Sequence, residues 1–365
     1  MSNLFDCYYQ CGDKKFLNIW QAFDEQFKTQ QVPELILDKD FLSSISNLKK
    51  PKNLSRTYIK NLIVQRLKNL RKKYKYLRLA LGGGTDSFSI LKYCVENDIY
   101  LDEVFTHMVS IKSNIKSDIE YLPALMYAEK YQGQQIGNVV RIHPIINECE
   151  FPLQNGWYKN PDFIRGNHLP VRPSIPNQYY KRSNLPLNES VTIFGFDKPY
   201  VINEQGKLYW MQMDSGLGEI MGCENLLPLF FDKENPELTV SLTYALLENS
   251  NNSVPFIGYD LQSKENKFKI LNAMGLESTG HYFIDHHLLG KSKYEYQNKK
   301  NRMYHKELQQ LGRQDIIKAY FRTHKLIILQ YQSLPHAIEI LDNTIVKSVL
   351  RQSKKIPIFQ DSFGA

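Results

Sequence analysis

The segment from Tyr76 to Ser87 constrains this chain more than any other. The run Tyr76-Leu77-Arg78-Leu79-Ala80-Leu81 is short and mostly apolar, and it ends at three successive glycines, Gly82, Gly83 and Gly84. That is the expected form of a strand feeding a tight turn. Ser87 to Glu96 then reads as helix, with Phe88, Ile90, Leu91 and Cys94 available for burial. Asp102 to Ile111 reads as a second buried strand, Ser117 to Tyr131 as a second helix and Asn138 to Ile142 as a third strand. This β-α-β-α-β order with short links predicts an α/β fold, a parallel sheet with helices on both faces.

The flanking sequence is less regular. Residues 1 to 48 mix aromatic and acidic clusters with one apolar run, Leu35-Ile36-Leu37, and read as a small N-terminal layer. Ser55 is a reasonable N-cap. After it, Ile59, Leu62, Ile63, Leu67 and Leu70 recur at helical steps while basic residues mostly fill the opposite side. The stretch from 144 to 189 carries Pro144, Pro152, Pro161, Pro170, Pro173, Pro176 and Pro186, interleaved with Trp157, Tyr158, Tyr179 and Tyr180. It is predicted to be mostly loop, of the kind that forms a lid or a substrate wall. Ser190 to Gly195 reads as a fourth strand. A hairpin follows, pairing Tyr200-Val201-Ile202 with Leu208-Tyr209-Trp210 around Glu204-Gln205-Gly206. Beyond Pro236 the periodicity is helical, at 236 to 249, 263 to 274, 303 to 325 and 336 to 351. The chain thus divides into an extension with a basic amphipathic helix (1–73), an α/β domain (74–250) and a helical C-terminal region (251–365).

Hydrophobic residues at 42% and charged residues at 23% exclude collagen-like and disordered classes. No apolar stretch approaches the roughly 18 to 20 residues that cross a bilayer. The start, Met1-Ser2-Asn3-Leu4-Phe5-Asp6-Cys7, lacks a basic flank followed by an apolar run. A cytosolic protein with no membrane contact is the expectation. Cys7, Cys11, Cys94, Cys149 and Cys223 form no Cys-x-x-Cys pair, so reduced thiols are expected rather than a disulfide framework or a zinc ribbon. Cys7 and Cys11 have helical spacing. The net charge of +8 is local: residues 49 to 78 hold twelve bases and no acid, and the rest of the chain sets 34 bases against 38 acids, a net of −4. The helix over 56–73 is therefore a candidate grip for RNA, and Lys291, Lys293, Lys299, Lys300, Arg302 and Lys306 form a second basic patch.

Gly82-Gly83-Gly84-Thr85-Asp86-Ser87 lies between strand and helix. Glycines let a backbone approach a phosphate closely, and the first turn of the helix offers unpaired N–H groups and the positive end of its dipole. Asp86 disfavours a bare phosphate, and its natural part is to bring a Mg²⁺ that joins the carboxylate to phosphate oxygens. Ser87 adds a hydroxyl. The run resembles the Ser-Gly-Gly-x-Asp-Ser signature of the PP-loop, or N-type, ATP pyrophosphatases, which include asparagine synthetase, GMP synthetase, NAD synthetase and the tRNA lysidine and thiolation enzymes. Gly82 stands where that family usually has its first serine. The helix beginning Ser117-Asp118-Ile119-Glu120 also resembles its counterpart in asparagine synthetase.

The resemblance implies an adenine nucleotide alpha hydrolase-like fold with ATP and Mg²⁺ as cofactors. Leu81 and Gly82 lead the backbone into the cradle, and Gly83, Gly84, Thr85 and Ser87 hold the departing pyrophosphate while Asp86 holds the metal. Adenine lies near His107 and Met108 at the end of the second strand. Gly195 follows the fourth strand, with Asp197 as a second carboxylate for the metal and Lys198 to neutralise charge growing on the phosphates. No lysine follows the glycines in the Gly-x-x-x-x-Gly-Lys pattern, so cleavage between the α and β phosphates is expected rather than loss of the γ-phosphate. Asp214 and Glu219 are weaker substrate-site candidates, and His281, Asp285, His286 and His287 a weaker metal cluster.

Three functions stay open at this level. One is an AMP-forming ligase of the asparagine synthetase type, acting on a small carboxylate or amine substrate. Ser2 stands where the glutamine-using enzymes carry a cysteine, and the 81 residues before the loop are too few for a glutaminase domain. The second is a nucleic-acid base-modifying enzyme that uses the basic helix. The third is a nucleotide-binding protein without catalysis.

Overall fold

The computed structural model describes residues 7–17, 22, 25, 28, 29, 31, 34–46, 48–107, 122–142, 184–195, 198–204, 207–211, 225–231, 233–250, 256–257, 264–277 and 356–357. Its first layer is a small antiparallel sheet of β1 (Tyr8–Cys11), β2 (Lys14–Phe16) and β3 (Glu34–Ile36), in the order β2-β1-β3. Gly12 turns the first hairpin at φ +58, a conformation that glycine adopts freely. Cys7, Tyr9 and Cys11 are all buried. The four-residue spacing of the two cysteines is thus the same-face spacing of a strand and not of a helix. Neither cysteine is in a disulfide. Next comes α1 (Lys39–Ser46), started by Asp38, whose Oδ1 accepts from the amides of Asp40 and Phe41 at 3.0 Å each.

Helix α2 (Arg56–Lys73) begins as predicted, with Ser55 Oγ accepting from the Tyr58 amide at 3.3 Å. Ile59, Ile63, Leu67 and Leu70 are buried and Leu62 is half-buried. One base departs from the expected polar face. Arg66 is buried, and its guanidinium donates to the carbonyls of Pro228 and Phe231. Those carbonyls replace the water that the charge loses.

The chain then runs through β4 (Tyr76–Ala80), α3 (Thr85–Glu96), β5 (Leu101–His107), α4 (Leu122–Lys130), β6 (Ile136–Ile142) and β7 (Ser190–Phe194). A hairpin, β8 (Tyr200–Glu204) and β9 (Lys207–Met211), pairs Val201 with Trp210 and Ile202 with Tyr209, as the sequence predicts. After it come β10 (Leu226–Pro228), α5 (Glu237–Asn249), β11 (Phe256–Ile257), α6 (Lys264–Ala273) and β12 (Ile356–Pro357). The hairpin belongs to an antiparallel sheet in the order β11-β8-β9-β12. Strand β10 was not anticipated, because three residues ending in proline carry no periodicity.

Five strands form the parallel sheet, in the order β10-β7-β4-β5-β6. The protein is an α/β fold. Every residue of β7 is buried, so both faces of that strand are covered, the usual state of a parallel sheet. From β4 the chain steps to β5 and β6 on one side, then returns to β7 on the other. Strand order therefore reverses between β4 and β7, and the far side of their C-terminal ends is where open α/β sheets usually bind ligands.

A buried charge pair sets the register of the central strands. Arg78 of β4 is 1% exposed and lies opposite Glu103 of β5 and Thr192 of β7. Its Nε donates to Glu103 Oε1 at 2.8 Å, its Nη1 reaches Thr192 Oγ1 at 3.3 Å, and its guanidinium lies 5.0 Å from the centre of the Phe105 ring. Trp210, Phe41 and Phe231 pack together, with ring centres 5.7 to 6.4 Å apart, where the hairpin meets α1. The sequence-predicted helices at 303 to 325 and 336 to 351 and most of the proline-rich stretch lie outside the described residues.

Residues 274–277 close α6 against α2 and α3. Gly275, at φ +72, would bring a Cβ to 3.0 Å from the Lys60 amide nitrogen, and its carbonyl accepts from the Tyr93 hydroxyl. The Glu277 amide donates to Ser89 Oγ at 2.7 Å. The Glu277 carboxylate accepts from Lys92 and from Arg56 (3.1 Å) and lies 3.6 Å from Lys60. Burial by itself raises the Glu277 pKa. The Lys92 hydrogen bond and the charges of Lys92, Lys60 and Arg56 outweigh it and hold the carboxyl below its ordinary value. A depressed folded-state pKa stabilises above the unfolded value near 4.3 and is lost as pH falls through the folded value. Glu277→Gln should accordingly lower unfolding free energy by about 1 to 2 kcal/mol at neutral pH. Urea unfolding of both proteins should show that difference shrinking below about pH 4, and a difference that persists in acid would contradict the assignment.

Candidate active site

The loop after β4 is shaped by its own hydrogen bonds. The Leu81 amide donates to Phe105 O at 2.8 Å, so the β4–β5 ladder continues one residue past the strand. Gly83 then takes φ +75, which a side chain would strain. The Gly82 amide donates to Ser87 Oγ at 3.1 Å, and that hydroxyl reaches Gly84 O at 3.4 Å. Ser87 therefore spends its hydroxyl tying the loop. Gly84 is the N-cap of α3 and offers no side-chain cap. The amides of Thr85, Asp86 and Ser87 have no intrahelical acceptor, by the geometry of a first turn.

A second element reaches the same turn from β7. A Cβ on Gly195 would lie 2.9 Å from Ser87 N and 3.0 Å from Asp86 C. Backbone meets backbone there, and only glycine permits it. Three residues on, Lys198 is 1% exposed, its ammonium is paired with Asp86 Oδ2, and it lies 5.8 Å from the centre of the Phe230 ring. Asp86 is 20% exposed. Asp86 Oδ1 and Thr85 Oγ1 are buried and have no hydrogen-bond partner among the described residues. Leaving such an atom unsatisfied costs about 1 to 3 kcal/mol, which makes the turn a candidate ligand site.

The structure thus brings Leu81, Gly82, Gly83, Gly84, Thr85, Asp86, Ser87, Gly195 and Lys198 together beyond the C-terminal ends of β4 and β7. His107 ends β5, the strand next to β4, with its backbone in register with Ile142. Met108, Asp197, Asp214, Glu219, the His281–His287 cluster and the second basic patch lie outside the described residues. Among the described residues no group of three or more His, Cys, Asp or Glu side chains is placed to hold a metal. The unpartnered carboxylate oxygen of Asp86 has the chemistry of a ligand to a divalent ion whose other ligands are phosphate and water oxygens, the usual manner of Mg²⁺.

Two features escaped the sequence reading. Arg78 counted only as part of the basic surplus, although a charge inside an apolar strand signals a buried partner. Glu277 and Ser89, which pin 274–277 to α3, carry no local signature. The basic surplus itself is largely answered by acids: Lys50 by Glu248, Arg56 by Glu277, Lys60 by Glu96, Arg71 by Asp102, Lys73 by Glu234, Lys75 by Glu189 and Arg78 by Glu103. No helix among the described residues is long and apolar enough to cross a membrane.

No known protein family, curated protein or solved structure matches this chain. Gly195→Ala tests the packing that assembles the site. The methyl group forces β7 and α3 apart at the Ser87 amide, and stability should fall by about 1 to 3 kcal/mol. Denaturant unfolding measures this, and an unchanged midpoint would mean that the two elements do not meet as described.

Proposed function

We propose that the protein is an ATP-dependent, AMP-forming ligase with an adenine nucleotide alpha hydrolase-like fold, resembling the synthetase domain of asparagine synthetase. One observation carries the reading. Asp86 in the first turn of α3 and Lys198 just after β7, 112 residues apart, meet over a glycine turn whose first-turn oxygens Asp86 Oδ1 and Thr85 Oγ1 lack partners among the described residues. Opposite charges facing bare amides suit a metal-bound triphosphate better than a neutral metabolite.

In this reading the amides of residues 84 to 87 receive the pyrophosphate portion and Lys198 donates to its oxygens. Asp86 would hold Mg²⁺, which would neutralise charge on the phosphates. The end of β5 at His107 flanks the adenine; Met108 and Asp197, which the resemblance assigns to adenine and metal, lie outside the described residues. A carboxylate or carbonyl oxygen of the acceptor attacks the α-phosphorus. The bond from that phosphorus to the bridging oxygen breaks, and its electron pair leaves with pyrophosphate. An amine then displaces AMP from the activated acyl group. The lysine stabilises charge where it grows. The many ion pairs along α2 favour a small-molecule acceptor over RNA, because paired bases gain little from phosphate contacts. The cytosol is the compartment proposed.

The decisive assay incubates the full chain with Mg-ATP and a pool of small carboxylates and amines, and follows AMP, pyrophosphate and adenylated species by mass spectrometry. AMP with pyrophosphate is the expected product pair. Asp86→Asn should lower turnover by at least about 100-fold with an unchanged circular dichroism spectrum. Formation of ADP and phosphate, or full activity in the variant, would sink the proposal.

A further inference from the structure

Asp86 is asked to bind two cations, and its surroundings admit one at a time. The Lys198 ammonium sits on Oδ2, almost fully buried. Gly195 locks the start of its loop against the Ser87 amide, so the movable part is the lysine's own four-carbon stem. We propose that Lys198 occupies the cation seat on Asp86 until a nucleotide arrives, so that the divalent ion enters only together with its triphosphate. The inference rests on reading the glycine loop as a triphosphate site, and it adds an order of events to that reading.

The charges dictate the order. A bare Mg²⁺ approaching Asp86 adds two positive charges beside an ammonium that is 1% exposed and next to the positive end of α3. Both repel it, and little water is present to screen them. A triphosphate reverses the balance. Its oxygens draw the ammonium off the carboxylate, it carries its own cation, and Asp86 is released to bind that cation. Asp86 Oδ1 and Thr85 Oγ1, which lack partners among the described residues, become satisfied in the same event. Lys198 thereby moves from counter-ion of the resting site to donor on the phosphates, and metal without nucleotide is excluded.

Equilibrium dialysis of the full chain separates the two levels of the claim. Mn²⁺ serves as the metal probe and an ATP analogue with a methylene between the α and β phosphorus atoms as the nucleotide. Wild type should retain the analogue with Mn²⁺, and should hold Mn²⁺ alone at least about tenfold more weakly than in the analogue's presence. Lys198→Met should hold Mn²⁺ alone about tenfold more tightly than wild type does. Adding Asp86→Asn to that variant should erase the gain. Equal Mn²⁺ retention by wild type with and without analogue, or no gain in a folded Lys198→Met, overturns the inference. Should that variant fail to fold, as its melting transition will show, the wild-type comparison decides alone. If wild type retains no analogue, the triphosphate reading fails. The metal-alone affinities of wild type and Lys198→Met then still decide what the lysine does.

Discussion

A guanidinium buried in the middle of a parallel sheet cannot stand alone, and the arrangement around Arg78 follows from that. Removing one partner from such a pair costs about 3 to 5 kcal/mol, because the other charge is left without water. Arg78 meets the requirement with Glu103 on one neighbouring strand and Thr192 on the other. A one-residue slip of either neighbour turns its partner to the opposite face of the sheet. The register that results sets Leu79 opposite both Val104 and Ile193. Strands β4 and β7 consequently leave the sheet at the same level, and the loops that follow them meet.

Where those loops meet, two glycines do different work. Gly83 supplies a positive φ that bends the chain off β4, whereas Gly195 supplies the absence of a side chain that lets β7 approach the amide of Ser87. Between them the first turn of α3 is held open without a side-chain cap. Ser87 gives its hydroxyl to the loop, so the stiffness of the cradle comes from inside. Asp86 and Lys198 balance each other across it, and a ligand that binds there must satisfy both.

The remaining charge follows the same logic at larger scale. Seven of the twelve bases in 49 to 78 pair with acids spread from Glu96 to Glu277. Exposed pairs of this kind contribute little each. Their arrangement counts for more, since Glu277 gathers Arg56, Lys60 and Lys92 from two helices while its amide holds Ser89 of α3. The helix that carries the site is thereby braced at its far side by residues almost two hundred positions later.

Local signals in the sequence determined the elements around the site: the apolar run from Tyr76, the three glycines, the Ser55 cap, the period of α2 and the hairpin from Tyr200 to Trp210. Each depends on neighbours a few residues away, and for that reason each could be read. The α/β class followed from their order, and so did the residues of the turn, from Leu81 to Ser87. The spacing of Cys7 and Cys11 misled because four residues return to the same face in a strand as well as in a helix. Only the tertiary structure decided that Arg66 and Arg78 are buried, that β10 lies beside β7, that Gly195 backs onto Ser87 and that Lys198 reaches Asp86. Those contacts join residues more than a hundred positions apart in most cases, and burial and electrostatic pairing at such separations leave no trace in local periodicity.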